Sequence, residues 1–191
     1  WRTFGKNQQK VVDYLNGKTQ FRYLGPNCDL TFNTHGRIWI NSDGKTNMPS
    51  GEVYTAPEDH SMNGWVKYTL PSLYMGETVN EIELEIKDGY IEKWKSKDNA
   101  EFLNKIFEVS GARRFGEAAI GTNYKIQQIT RNILFDEKIG GTIHLAIGDA
   151  YKQCNGINES TVHWDMITDM NEGEIYADGE LCYKNGQFIV D

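Results

Sequence analysis

Cysteine, histidine and concentrated positive charge are all scarce in this chain, and each shortage removes a class of function. The three cysteines, Cys28, Cys154 and Cys182, are odd in number and form no CxxC pair, which argues against a disulfide framework or a thiolate zinc site. Burial as small hydrophobic side chains is their expected role. Lys and Arg total 20 against 27 Asp and Glu, a net charge of −7, and the cations are scattered along the sequence. Nucleic-acid binding and polybasic membrane contact both need a concentrated positive field, so neither partner is expected. No apolar run approaches the roughly 20 residues that span a bilayer as a helix, and no charged, apolar, small-residue leader is legible. A soluble cytoplasmic protein is therefore the expectation.

What is present suits one globular domain. A chain of 191 residues buries about 70% of its unfolded surface without help from disulfides or a structural metal, so a metal here would point to function. Lys10–Asn16 carries Val11, Val12, Tyr14 and Leu15 before Gly17, the pattern of a short helix closed by a C′ glycine. Gln20–Leu24, Asp29–Asn33 and Arg37–Ile40 alternate apolar with polar residues between turn signals, as half-buried strands do. Val79–Ile86 alternates throughout, and Asp88-Gly89 leads into Tyr90–Trp94 as a hairpin. Asp98-Asn-Ala-Glu101 reads as a capping box before a helix bearing Phe102, Leu103, Ile106, Phe107 and Val109 and ending at Gly111. A second helix is expected within Ile126–Phe135, strands at Thr142–Ile147 and Val162–Ile167, and short hairpin strands between Glu174 and Ile189. The order predicts an α+β domain, a strand-rich mixed sheet with a few inserted helices, and no repeat or linker divides it.

Of only four histidines, two fall on expected strands. His163-Trp-Asp165 places an imidazole and a carboxylate at i and i+2, which a strand points to the same side, towards one cation. HxD is also common by chance, with the Asp merely orienting a core histidine. His144 lies in Gly140-Gly-Thr-Ile-His-Leu-Ala-Ile-Gly148, and a lone strand histidine is more often structural than a ligand. His35 and His60 fall in turns with no partner pattern and are expected at the surface. Two acids stand in unusual company: Glu52 follows Pro and Gly in a loop, and Glu117 sits among small and apolar residues. Burying either unpaired is costly, although loop acids are usually solvated. Together Glu52, Glu117, His144, His163 and Asp165 form a mixed N/O donor set suited to Zn²⁺, Mn²⁺ or Co²⁺, and five ligands can hold two ions with one carboxylate bridging. Asn41–Glu52 imitates a calcium loop, but Lys45 at position 5 and Thr46 in place of the required glycine exclude an EF-hand.

Four longer stretches carry a family resemblance. Trp39-Ile-Asn-Ser-Asp-Gly-Lys-Thr-Asn-Met-Pro-Ser-Gly-Glu-Val-Tyr-Thr-Ala-Pro57, Gly116-Glu-Ala-Ala-Ile-Gly-Thr-Asn123, Gly140–Gly148 and His163-Trp-Asp-Met-Ile167 resemble, in this order, the thermophilic M29 metallo-aminopeptidases. The resemblance implies a cytoplasmic exopeptidase acting on peptides with a free N-terminus through two divalent ions, Zn, Co or Mn. It implies metal ligands at Glu52, Glu117, His144, His163 and Asp165, with Glu117 bridging. It also implies Tyr151 as hydrogen-bond donor to the oxyanion or bound water, and leaves Glu137 as general base. The family's chains are longer, with an additional N-terminal α/β domain and an expected homodimer. Residues 1–191, beginning at Trp1, are thus expected to be the C-terminal catalytic domain. The competing readings are an inactive fragment and a strand-rich module that binds peptides or sugars on an aromatic face.

Overall fold

The structure, a computed structural model, describes residues 1–190. Helix α1 (Arg2–Asn16) is followed by nine strands: β1 (Gln20–Gly25), β2 (Cys28–Asn33), β3 (Ile40–Ser42), β4 (Glu52–Thr55), β5 (Asn63–Lys67), β6 (Ser72–Tyr74), β7 (Glu77–Val79), β8 (Glu83–Lys87) and β9 (Tyr90–Lys95). Then come α2 (Ala100–Phe107), β10 (Phe115–Gly121), the single turn α3 (Ile133–Asp136), β11 (Thr142–Gly148) and β12 (His163–Asp169). Strands β13 (Glu174–Ala177), β14 (Glu180–Lys184) and β15 (Gln187–Phe188) close the chain. This is the strand-rich α+β domain that the sequence predicts.

Two sheets dominate. An eight-stranded sheet runs β15-β14-β13-β1-β2-β5-β8-β9, and a five-stranded sheet runs β12-β11-β10-β4-β3. Their ladders are antiparallel throughout, and the parallel component of the expected mixed sheet is confined to one bridge between Asn123 and Ile139. In β1 and β2 burial alternates, so one face of the large sheet meets the core; β10 and β11 are buried along their whole length. Val53, Ala118, Ile120, Ile143, Leu145, Ile147, Trp164 and Met166, from four strands of the small sheet, join Phe21, Tyr23, Leu30 and Phe32 of the large one in a single apolar cluster. The opposite face of the small sheet carries different chemistry, described below. Cys28, Cys154 and Cys182 are free and buried, and burial pushes each thiol up to about 12, so they pack as inert hydrophobes.

Hairpins are where the sequence reads most directly. Asp88-Gly89, Asp178-Gly179 and Asn185-Gly186 all have positive φ at both residues, the backbone that matches strand twist in a two-residue turn. Elsewhere local interactions redirect the chain. Helix α1 begins eight residues before the expected Lys10, because polar Gln8 supplies part of its buried face, and Gly17 closes it at φ −84 rather than in the left-handed form. Arg37–Trp39 is irregular: Trp39 N–H donates to Asn16 Oδ1, and pairing begins only at Ile40. Val79–Ile86 is two strands, broken where Glu81 turns left-handed (φ 49) with its carboxylate between Lys67 and Lys97. The Asp98 capping box does not form; its carboxylate accepts from Asn80, and left-handed Asn99 precedes α2. Within Ile126–Phe135 only the α3 turn is helical, because Asp136 accepts from Thr130 N, Thr130 Oγ1 and Arg131 N and so folds the segment on itself.

Candidate metal centre

Register alone gathers the candidate ligands. Glu52 faces Gly121, Ala119 faces His144, Glu117 faces Ala146, Ala146 faces Asp165, and Gly148 faces His163. Paired residues share a face, as do residues two apart on one strand, so Glu52, Glu117, His144, His163 and Asp165 all lie on the side of the small sheet opposite its apolar core face. Glu52, placed by the sequence in a loop, and Glu117 are both buried members of strands, β4 and β10, so neither is the solvated surface acid of the alternative reading. Small Ala119 and Ala146 between them leave the space that the larger donors occupy. Helix α1 locks the arrangement from outside: buried Gln8 donates through Nε2 to the Glu52 carbonyl (2.8 Å) and accepts from Thr122 Oγ1 (2.6 Å).

The donor atoms converge without closing into hydrogen bonds. His144 Nε2 lies 3.3 Å from Glu52 Oε2 and 3.5 Å from Glu117 Oε1, while His163 Nε2 lies 3.4 Å from Glu117 Oε2 and 3.6 Å from Asp165 Oδ2. Three trios, Glu52–Glu117–His144, Glu117–His163–Asp165 and Glu137–His144–Asp165, each offer donor atoms within 4.8 Å of one another. Glu52 Oε2, His144 Nδ1, His163 Nε2 and Asp165 Oδ1 are buried with no hydrogen-bond partner. Buried polar atoms in this condition are costly, and divalent cations with N/O preference would satisfy them; the residues fit such ions.

Electrostatics report the same pressure. Burial pulls the His163 imidazolium down, but Asp165 and Glu117 outweigh it and push the group up to about 11; His144 is likewise raised well above its ordinary value by Glu117 and Glu52 against full burial. Glu52 is also buried, yet His144 and Lys138 hold its carboxyl below the usual range. The acids thus call for positive charge at the two histidines, and a proton and a cation compete for the same nitrogens.

The other predicted residues stand around this group. Glu137, just after α3, is buried beside Lys138, and burial above all pushes its carboxyl up to about 7, with Asp165 and Glu52 adding and His144 and Lys138 opposing. Tyr151 is half-exposed at the rim, its ring 4.8 Å from that of His163 and edge-on to Tyr54 at 5.6 Å. Burial and the nearby acids raise its phenol far above neutrality, so it stays protonated. His35 and His60 are exposed and apart from the centre, as expected. A cleft of about 520 Å³ opens here, lined also by Tyr54, Leu134 and Gln153. Sequence reasoning missed three participants: Lys138, the Asp149 carbonyl that orients His163, and Tyr54, whose hydroxyl accepts from Gln153 Nε2 at 2.6 Å. Only Tyr54 left a signal, two residues from Glu52 and so on its face.

Comparison with known proteins agrees with this geometry. The profile of the thermophilic metalloprotease (M29) family matches residues 1–188. The chain is 33% identical to aminopeptidase PepS of Streptococcus thermophilus, over 100% of its own length and 54% of that protein. The solved structure of wild-type AmpT from Thermus thermophilus superposes with a TM-score of 0.88 at 25% identity, covering 100% of this chain and 55% of that one. A 2,5-dihydroxypyridine dioxygenase from Pseudomonas putida KT2440 shares the fold at a TM-score of 0.81 and 15% identity, with 98% of this chain and 60% of that one covered. The fold therefore hosts more than one chemistry, and function has to be argued from the site. This chain spans about half the length of the curated relatives it matches. Because the profile match spans residues 1–188 and so contains every strand of the small sheet with its candidate ligands, the chain belongs to the thermophilic metalloprotease (M29) family.

Proposed function

We propose that this chain carries the dinuclear metal centre of an aminopeptidase that hydrolyses the first peptide bond of substrates with a free N-terminus. The observation that carries the reading is Glu117, whose Oε1 faces His144 while its Oε2 faces His163. A carboxylate so placed belongs to two trios at once and suits a bridging ligand. Glu52 and His144 would complete one ligand set, His163 and Asp165 the other. Family membership and relatives named as aminopeptidases support a peptide substrate. Zinc, cobalt and manganese all suit these donors. When bound, two such ions supply Lewis acidity, acidifying water and polarising the scissile carbonyl near neutral pH.

The chain's own groups do the rest. Glu137 takes the proton of the attacking water and returns it to the leaving amine; with its carboxyl pushed up to about 7, both halves of that cycle are accessible at neutral pH. Tyr151, protonated and at the cleft rim, donates a hydrogen bond to the oxyanion. Ala119 and Ala146 keep the floor open. A cytoplasmic location, and a homodimer for the longer proteins of the family, belong to the same reading and are supported by the resemblance alone.

Metal analysis together with hydrolysis of one peptide, free and N-acetylated, tests the proposal. Two equivalents of metal are expected, with cleavage of the free peptide only, abolished in Glu117→Gln. Failure to bind any divalent ion, or substantial turnover by Glu117→Gln, overturns it. Two bound ions without turnover of either peptide would instead identify a metal-binding portion that is inactive by itself.

A further inference from the structure

Lys138 is the only buried lysine among the described residues, with its side chain 1% exposed. Its backbone is fixed just after α3: N–H donates to the Phe135 carbonyl at 3.2 Å and the carbonyl accepts from Asn123 N–H at 2.9 Å. From there Nζ reaches Glu52 Oε1, 86 residues away in sequence, at 2.7 Å, and also donates to Glu137 Oε1. A buried ammonium persists only where charge and hydrogen bonds compensate its lost hydration, and these two carboxylates do so. The converse matters more. Glu52, Glu117, Glu137 and Asp165 put four carboxyl groups into the three overlapping trios, and Lys138 is the ammonium that touches two of them, Glu52 and Glu137. Its grip is divided unevenly over Glu52: Oε1 is taken by the ammonium, whereas Oε2 has no hydrogen-bond partner and faces His144.

We propose that Lys138 is the internal cation that preforms this centre, holding Glu52 and Glu137 in place before any metal enters and leaving Glu52 only Oε2 to offer an ion. The inference rests on the metal-binding reading above and assigns Lys138 a positioning role, since it acts through the carboxylates. Its consequence is unequal. Without metal, loss of the ammonium strips buried Glu52 and Glu137 of the cation that touches both and leaves the centre with less positive charge than its acids need; with metal, bound cations would neutralise the same acids. Lys138 therefore stabilises the metal-free protein more than the loaded one, and its charge opposes the entering cations.

Thermal unfolding of chelator-stripped and zinc-loaded protein, for the wild type, Lys138→Met and Lys138→Arg, tests this. Lys138→Met is expected to lower Tm by about 10 °C in the stripped protein and by less than half of that in the loaded one. Zinc then raises Tm by more in Lys138→Met than in the wild type, as linkage requires, whereas Lys138→Arg keeps the charge and a near-wild-type zinc increment. An equal fall in both forms, which lost packing alone would give, overturns the inference while leaving the metal reading standing. No fall in either form also overturns it. A wild type that gains nothing from zinc overturns both. Should Lys138→Met fold only with zinc present, the inference is supported, and Lys138→Gln supplies the same comparison in a milder form.

Discussion

The carbonyl oxygen of Asp149 accepts a hydrogen bond from His163 Nδ1 at 2.8 Å. Since a carbonyl can only accept, Nδ1 is a donor here and Nε2 is the nitrogen turned towards Glu117 and Asp165, holding a proton in the metal-free chain that a metal would have to displace. Gly116 is packed against that same carbonyl: a Cβ at position 116 would meet Asp149 O at 2.0 Å. Gly116→Ala should therefore displace the carbonyl and tilt His163 without touching any donor atom. Zinc affinity, measured by competition with a chromophoric chelator, is expected to fall by about 10- to 100-fold. Wild-type affinity in Gly116→Ala would show that the carbonyl does not set the geometry.

The histidines also give the metal-free protein a pH signature. His163 is pushed up to about 11 in the folded chain, against a value near 6.5 when unfolded, and His144 shifts in the same direction. A raised imidazole contributes stability that is complete below about pH 6.5 and is lost as pH climbs towards the folded value. Glu137, raised to about 7, has the same sign at lower pH: the folded state holds its proton more tightly, so stability falls as pH rises to that value. Chelator-treated protein should thus lose Tm steadily between about pH 6 and 9. Metal addition reverses the trend, because ions need the unprotonated nitrogens and bind better as protons leave. Parallel Tm curves with and without zinc would count against a metal at these histidines.

The five candidate ligands were legible because their chemistry is improbable in a core: acids among alanines, and a histidine two residues from an aspartate. Their common placement was not, since it depends on β4 pairing with β10 and on β10, β11 and β12 lying side by side in register. A solvated loop acid stayed open for both Glu52 and Glu117 because Gly and Pro flank the first and glycine and small residues surround the second, which hides the strands they lie on. Strand burial on both faces removes the alternation by which strands are recognised, and β10 is buried throughout. Lys138 was invisible for a related reason. An isolated lysine reads as surface, and only a contact spanning 86 residues reveals the carboxylate that holds it inside. The failed helix at Ile126–Phe135 had apolar spacing in its favour, but the side chain of Asp136 offers three bonds to Thr130 and Arg131 that a continuous helix would forgo.

Tyr151 separates substrate chemistry from metal binding. Its ring packs beside His163, and its phenol, kept protonated by burial and surrounding acids, is the donor assigned to the oxyanion. Tyr151→Phe preserves the ring packing and removes the hydroxyl alone. The expected result is a fall in kcat of about 10²- to 10³-fold with KM and metal content near wild type. An unchanged kcat would return Tyr151 to a packing role.

Glu137 is tested in the same manner but with a different control. Glu137→Gln keeps size and one oxygen while removing the basic carboxylate, so kcat should fall about 10²- to 10⁴-fold. Glu137 also belongs to a trio with His144 and Asp165, and metal content distinguishes the two roles. Two ions retained with the loss of turnover supports the general base; an ion lost with it makes Glu137 a ligand.

Asp136 decides whether the turn that carries Glu137 and Lys138 holds its shape. Its buried carboxylate accepts from Thr130 N at 2.8 Å, Thr130 Oγ1 at 2.7 Å and Arg131 N at 2.8 Å. Asp136→Ala leaves two backbone N–H groups without their acceptor, a loss of about 2–3 kcal/mol if neither finds water. Chemical denaturation of the zinc-loaded protein measures that loss, and zinc titration measures what reaches the centre through the next two residues. Both stability and zinc affinity should fall, with Asp136→Asn intermediate because it retains one acceptor oxygen. A fall in stability with zinc affinity untouched would show that β4, β10, β11 and β12 hold the ligands without help from this turn.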